Sequence, residues 1–292
     1  MAPRNVESQM AEQPPPRYSF DADTVMFPPA TGPGPGRWTG EMSNRWDIGD
    51  KPNGGYILAL AVRAMVGVTA ATTAEHVDPF SVTAHYLRPG ETGRVDVDVD
   101  LVRTGRTLST ATATMTQSGK EKLRVIGTFG RLGGASGPTV IGATPPDLPT
   151  PEECLSRRGG GQAHYVPSRF TDSVDVRLHP DSGWVRGVPS GTAELTGWMR
   201  FADERPADVV SMALFADAFP PTVFEVLPTS QWVPTIELTV HFRGVPAPGW
   251  LRARFQSRYL MDGFFEEDGE IWDSNGRLVA QSRQLAMVLP TT

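Results

Sequence analysis

The same succession of elements is written twice along this chain, and that repetition limits the fold more than any other feature. A strand, a proline-containing turn, one helix and then strands alone are predicted over 37–129 and again over 193–288. In the first unit a strand over 37–48 leads through Asp50-Lys51-Pro52-Asn53-Gly54-Gly55 into a helix over 56–66. Strands over 80–88, 94–102, 108–116 and 123–129 follow. In the second unit a strand over 193–201 leads through Asp203-Glu204-Arg205-Pro206 into a helix over 207–219. Its strands are predicted over 234–243, 250–259, 263–273 and 278–288. With Pro52 set on Pro206, Ala59, Leu60 and Ala64 fall on Ala213, Leu214 and Ala218. Two copies of one supersecondary unit are the expected result.

Alternation identifies the strands. Val95, Val97, Val99 and Leu101 share one face, with Asp96, Asp98 and Asp100 on the other; Ile236, Leu238, Val240 and Phe242 alternate with Thr235, Glu237, Thr239 and His241. One dry face and one wetter face is the pattern of antiparallel meanders, not of parallel sheets buried on both sides. Each unit is therefore read as one helix wrapped by an antiparallel sheet, an α+β architecture. The 30 glycines and 27 prolines in 292 residues suit many short elements and turns. They cluster at two breaks. Residues 1–19, with Pro14-Pro15-Pro16, read as a disordered leader, and 134–172, with Pro145-Pro146 and Gly159-Gly160-Gly161, as a connector. That leaves units at 20–133 and 173–290.

Several function classes fall away. A net charge of −6 argues against a general nucleic-acid surface. The longest strongly apolar run, Tyr56 to Val62, is far short of the ~20 residues a membrane span requires. No signal sequence is recognisable, so a cytoplasmic location is expected. The one cysteine, Cys154, lies in the connector and reads as an incidental thiol. His76, His85, His164, His179 and His241 lack metal-ligand spacing and read as surface or strand-face residues, so no metal and no cofactor are expected. There is no Gly-x-Ser-x-Gly elbow, His-Glu-x-x-His or phosphate-binding lysine loop.

One carboxylate is out of place. Val210, Leu214 and Asp217 stand at i, i+4 and i+7 of the second predicted helix and share its apolar face. An acid there costs several kcal/mol unless it is hydrogen-bonded. The alternative is a helix that frays near Pro220-Pro221, with Asp217 turned to solvent.

Four segments carry a family resemblance: Asn53-Gly54-Gly55-Tyr56, His85-Tyr86-Leu87-Arg88-Pro89-Gly90, Val102-Arg103-Thr104-Gly105-Arg106, and Gly276 through Gln284. In order and spacing they resemble the type II (TesB-like) acyl-CoA thioesterases, over nearly all of residues 20–290. The resemblance implies a double hotdog: two helix-wrapped antiparallel sheets fused in one chain, further assembled into a homo-oligomer. It implies an acyl-CoA substrate and a water oriented by three residues, matched here by Asp217, Thr235 and Gln284. Thr239, on the same predicted strand face, competes with Thr235. Arg63 and Phe129 stand at the corresponding positions of the first unit, implying one catalytic centre per chain.

The residue types suit the chemistry. A thioester carbonyl is electrophilic enough for direct attack by an oriented water. Asp217 would take the proton, its burial countered by hydrogen bonds from Thr235 and the Gln284 amide. Gly54 and Gly55 would bind substrate, their amides at the helix N-terminus meeting the oxyanion. Phe219, Phe224, Phe264, Phe265 and Trp272 are candidates for a tunnel lining, and Arg88, Arg103, Arg106 and Arg243 for coenzyme A phosphates. Two other functions compete: an acyl-ligand-binding protein without catalysis, and an enoyl-CoA hydratase. The hydratase reading wants a histidine in the turn before the helix, and Asp50-Lys51-Pro52-Asn53-Gly54 has none.

Overall fold

A computed structural model describes residues 16–134, 137–158, 168–227 and 232–289. The expected leader lies outside the described residues as far as residue 15, and so do Gly159-Gly160-Gly161 and His164 of the expected connector.

The first unit comprises β1 (Gly36–Met42), α1 (Gly54–Thr72), β2 (Asp78–Tyr86), β3 (Gly93–Thr104), β4 (Ser109–Gln117) and β5 (Lys120–Gly130). The second comprises β6 (Val174–Leu178), β7 (Glu194–Phe201), α2 (Ser211–Phe215), β8 (Thr235–Phe242), β9 (Leu251–Gln256), β10 (Phe264–Trp272) and β11 (Leu278–Met287). These strands and three two-residue pieces form one 14-stranded antiparallel sheet. Its long strands run β1-β3-β4-β5-β2 and then, mirrored, β8-β11-β10-β9-β7, with β6 added outside β7. The halves meet where β2 pairs with β8, Val82 opposite Val240. This is the double hotdog, its two sheets continuous across the seam.

Alternation predicted the strand faces well because each sheet has a single dry side. In β3, Val95, Val97 and Val99 are fully buried while Asp96 and Asp98 face outward. The strand expected over 37–48 stops at Met42, where Ser43 caps a 3-10 turn over Asn44–Trp46. That turn carries Trp46 into the core to stack on Tyr56, centroids 5.4 Å apart. Strand β6 was not anticipated. His76, expected at a surface or strand face, is buried, its Nδ1 2.8 Å from the Ser109 hydroxyl.

The central helices of the two units are unequal. α1 is 19 residues long, beyond the expected 56–66. Asn53 caps it, its side chain accepting from the Tyr56 amide at 2.9 Å. Gly67 lies within it and makes room for an indole, because a Cβ there would run into the Trp38 ring. By length and composition α1 could cross a membrane, which the short apolar run did not suggest, yet most of it is buried against the sheet. Leu58, Leu60, Val62, Met65 and Val68 are fully buried, each burial stabilising by ~1.5–3 kcal/mol.

α2 spans five residues, not the thirteen expected over 207–219. Asp208 pins its start, accepting from the Ser211 amide at 2.7 Å while also bound to Arg205. Beyond Phe215 the chain tightens into i→i+3 turns, Asp217 N–H to Leu214 O and Ala218 N–H to Phe215 O. Pro220-Pro221 then prevents α2 from continuing, and a separate 3-10 turn over Thr222–Glu225 follows.

Candidate active site

Asp217 lies in the tight turn after α2, not on its apolar face, and neither of the two sequence alternatives describes it. The turn delivers its carboxylate to the N-terminus of α1, in the other unit. Oδ2 accepts from the Asn53 amide and the Gly55 backbone N–H, both at 2.9 Å. The Asn53 amide also donates to the Asp217 carbonyl at 2.8 Å. Burial raises the carboxyl from 3.8 to about 6, and these donors, with the Gly54 amide, oppose the rise. Asp217 keeps intermediate exposure because it lines a cavity of about 550 Å³.

Two expectations change here. Thr235 and Gln284 do not supply the hydrogen bonds to Asp217; Asn53 and Gly55 do. Nor are the first amides of α1 open to an oxyanion. Gly55 donates to Asp217, Tyr56 to the Asn53 side chain and Ile57 to the Asn53 carbonyl. The helix N-terminus holds the carboxylate instead, as its partial positive charge favours. Gly54 lines the cavity, its carbonyl accepting from the Tyr86 hydroxyl at 2.9 Å. Burial and the charge of Asp217 push that phenol well above its ordinary range, so Tyr86 acts as a donor. Gly55 permits close approach: a Cβ would lie 2.7 Å from the Ala213 carbonyl oxygen and 2.9 Å from the Asp217 Cβ.

Thr235 and Gln284 meet each other on the cavity wall, Thr235 Oγ1 donating to Gln284 Oε1 at 3.0 Å. A β-bulge makes this possible. The register of β8 on β11 shifts between Thr235, opposite Ala286, and Glu237, opposite Leu285. Strict alternation would place Thr235 beside Glu237 and Thr239 on the outer face; the extra residue, Ile236, turns Thr235 inward. Thr239 stays outside, donating to Glu237 at 2.6 Å and lying 2.8 Å from the Thr83 hydroxyl. That geometry separates the two threonines the sequence left competing.

Sequence reasoning passed over Glu267. It sits on β10 opposite Gln284, is 4% exposed, and accepts from Gln284 Nε2 at 2.8 Å and from the Thr222 amide at 2.7 Å. Burial raises it to about 7, with the nearby charge of Asp217 adding to the rise. The signal was available: Glu267 shares its strand face with Phe265, Gly269 and Ile271 and is a carboxylate on an apolar face.

The remaining walls are divided chemically. Ile57, Trp184, Phe219 and Phe224 supply apolar surface, while Phe264, Phe265 and Trp272 are not in the lining. Lys51, Arg88 and Arg157 supply cationic side chains; of the arginines considered from sequence, only Arg88 lines the cavity. In the first unit Arg63 forms ion pairs with Asp21 and Asp208, at 3.2 and 3.6 Å, and Phe129 is fully buried.

Known proteins resemble this chain over most of its length. Residues 42–130 match the profile of the acyl-CoA thioesterase N-terminal domain, and residues 145–288 that of the acyl-CoA thioesterase C-terminal domain. An uncharacterized protein of Mycobacterium tuberculosis is 30% identical over 264 residues, covering 85% of this chain and 90% of the relative. A candidate thioesterase II from Thermobifida fusca YX superposes with a TM-score of 0.81 at 30% identity, over 94% of this chain and 99% of that one. A hot dog fold protein of unknown function from Alicyclobacillus acidocaldarius shares the fold, with a TM-score of 0.80 at 23% identity over 94% and 100% of the two chains.

Proposed function

The chain belongs to the acyl-CoA thioesterase family, and from that premise we propose that it hydrolyses an acyl-CoA to the free acid and coenzyme A, with Asp217 as general base. The observation that carries this reading is the pairing in one cavity of a part-buried carboxylate, held near pKa 6, with the Thr235–Gln284 couple. A base with a pKa just below working pH is mostly ionised yet still basic enough to take a proton.

The attacking water has a consistent set of partners. Asp217 accepts one of its protons. Thr235, whose own proton is committed to Gln284 Oε1, offers a lone pair to the other. Gln284 Nε2 spends one N–H on Glu267 and keeps a second to donate to the water oxygen. The water oxygen then bonds to the thioester carbon, and its proton passes to Asp217. The carbon–sulfur bond breaks, and the proton returns from Asp217 to the departing thiolate. The acyl chain would lie along Ile57, Phe219 and Phe224, and the coenzyme A phosphates near Lys51, Arg88 and Arg157.

The test is a steady-state assay of free thiol release across acyl-CoA substrates of increasing chain length. Release by the wild-type protein, abolished by Asp217→Asn, is expected. Tight acyl-CoA binding with no release would favour the non-catalytic reading. Loss of enoyl absorbance without free coenzyme A would favour a hydratase.

A further inference from the structure

A side-chain amide can sit either way round, and its chemistry reverses when it flips. One face of Gln284 meets Thr235, which can donate or accept; nothing there dictates the orientation. The other face meets Glu267, and this contact does dictate it. Glu267 Oε2 accepts from the backbone N–H of Thr222 at 2.7 Å, a donor that cannot turn around. Glu267 Oε1 lies 2.8 Å from Gln284 Nε2. Once ionised, this carboxylate only accepts, so the atom then facing it must be the amide nitrogen. The Thr222 hydroxyl is itself placed, 2.6 Å from the Ser257 hydroxyl, so this corner of the sheet is braced from two sides.

We propose that Glu267 is a positioning residue for the hydrolysis: it fixes the Gln284 amide with Oε1 toward Thr235 and a free N–H toward the reacting water. The inference rests on the reading of Gln284 as a water-holding residue. Its chemistry follows from counting donors and acceptors. Glu267→Gln has nearly the same shape, but offers one acceptor and one donor group where the carboxylate offers two acceptors. The immobile Thr222 N–H claims the single oxygen. The new NH₂ then faces Gln284, whose amide must flip to present Oε1. Nε2 turns to Thr235, which becomes its acceptor; the Thr235 proton, released from Gln284 Oε1, turns toward the water, which loses the Gln284 N–H donor and the lone pair that held its second proton. The Thr222 N–H, the new amide oxygen and the Gln284 amide all keep a partner, so the fold survives while the water site is rewired.

The experiment is a double-mutant cycle on kcat and KM for acyl-CoA hydrolysis, with Glu267→Gln, Gln284→Ala and the double variant, each checked by thermal melting. Glu267→Gln should lower kcat by about 10²-fold, the cost of a misdirected water, with KM within threefold. The double variant should hydrolyse within threefold of Gln284→Ala alone, because Glu267 acts only through the amide that variant lacks. Glu267→Asp keeps an acceptor-only carboxylate and should retain more activity than Glu267→Gln; it also replaces it in the cycle if Glu267→Gln does not fold. Losses that multiply in the double variant, or a fall in kcat that follows the melting temperature, would show Glu267 to be structural and overturn the inference. Unchanged kcat in Glu267→Gln beside a damaged Gln284→Ala would overturn it too, leaving the site reading intact. Unchanged kcat in Gln284→Ala removes the site reading, and the inference with it.

Discussion

Asp217→Asn should yield a protein that is at least as stable as the wild type and almost inactive. Asn is close to isosteric, and its oxygen can take the place of Oδ2, keeping both bonds from the Asn53 amide and the Gly55 N–H. What it removes is a charge that folding disfavours. The carboxyl is raised from 3.8 to about 6, so the folded protein binds this proton more readily than the unfolded chain. The contribution to stability is therefore fully present below about pH 4 and is lost as the pH rises through 6. At neutral pH the ionised group costs on the order of 3 kcal/mol at 1.36 kcal/mol per pKa unit. Asp217 is partly exposed, so solvent screens part of this, leaving roughly 1–3 kcal/mol to be regained by Asn. At about 2–4 °C per kcal/mol, the melting temperature should hold or rise by several degrees. Hydrolysis should fall ~10²–10⁴-fold, the usual worth of general-base assistance. Both readings come from one preparation: thiol release and a thermal melt at pH 7. Activity within threefold of wild type would remove Asp217 as the base. Melting temperature and activity falling together would refute the reasoning, because Asp217 would then be a structural acid.

Other measurements bear on the same arrangement. The pH profile of kcat/KM should rise from acid through neutrality with more than one proton involved. Asp217 must lose its proton near 6, and Glu267, which faces the Thr222 amide, Gln284 and the charge of Asp217, near 7; a single-proton limb centred near 4 would contradict this. Gly55→Ala should destabilise by about 1–3 kcal/mol in denaturant melts and lower kcat, since its Cβ meets the Ala213 and Leu214 carbonyl oxygens at 2.7 and 2.8 Å beside Asp217. Arg63→Met should leave turnover within threefold and cost no more than about 1 kcal/mol, because its ion pairs with Asp21 and Asp208 lie half-exposed and away from the cavity lining; equal damage from Arg63→Met and Gln284→Ala would mean the halves are not specialised.

The amino-acid sequence alone determined the repeat, the antiparallel pairing and the side of each strand that is dry. These follow from local periodicity, and an alternating strand over a single apolar face admits one arrangement. It also marked Asp217, because a carboxylate among apolar positions needs an explanation wherever it folds. The tertiary structure decided what that carboxylate touches. Its partners Asn53 and Gly55 are 164 and 162 residues away in sequence, and no periodicity links a turn in one half to a helix end in the other. Thr235 faces the cavity because of a bulge, a one-residue slip in hydrogen-bond register that depends on β11 lying alongside. Glu267 became legible only once β10 and β11 were paired, since its neighbour across the strands, not along the chain, defines what it does. Local pattern sets which face a residue occupies; the meeting of faces, which makes the chemistry, is settled by packing between segments far apart in the chain.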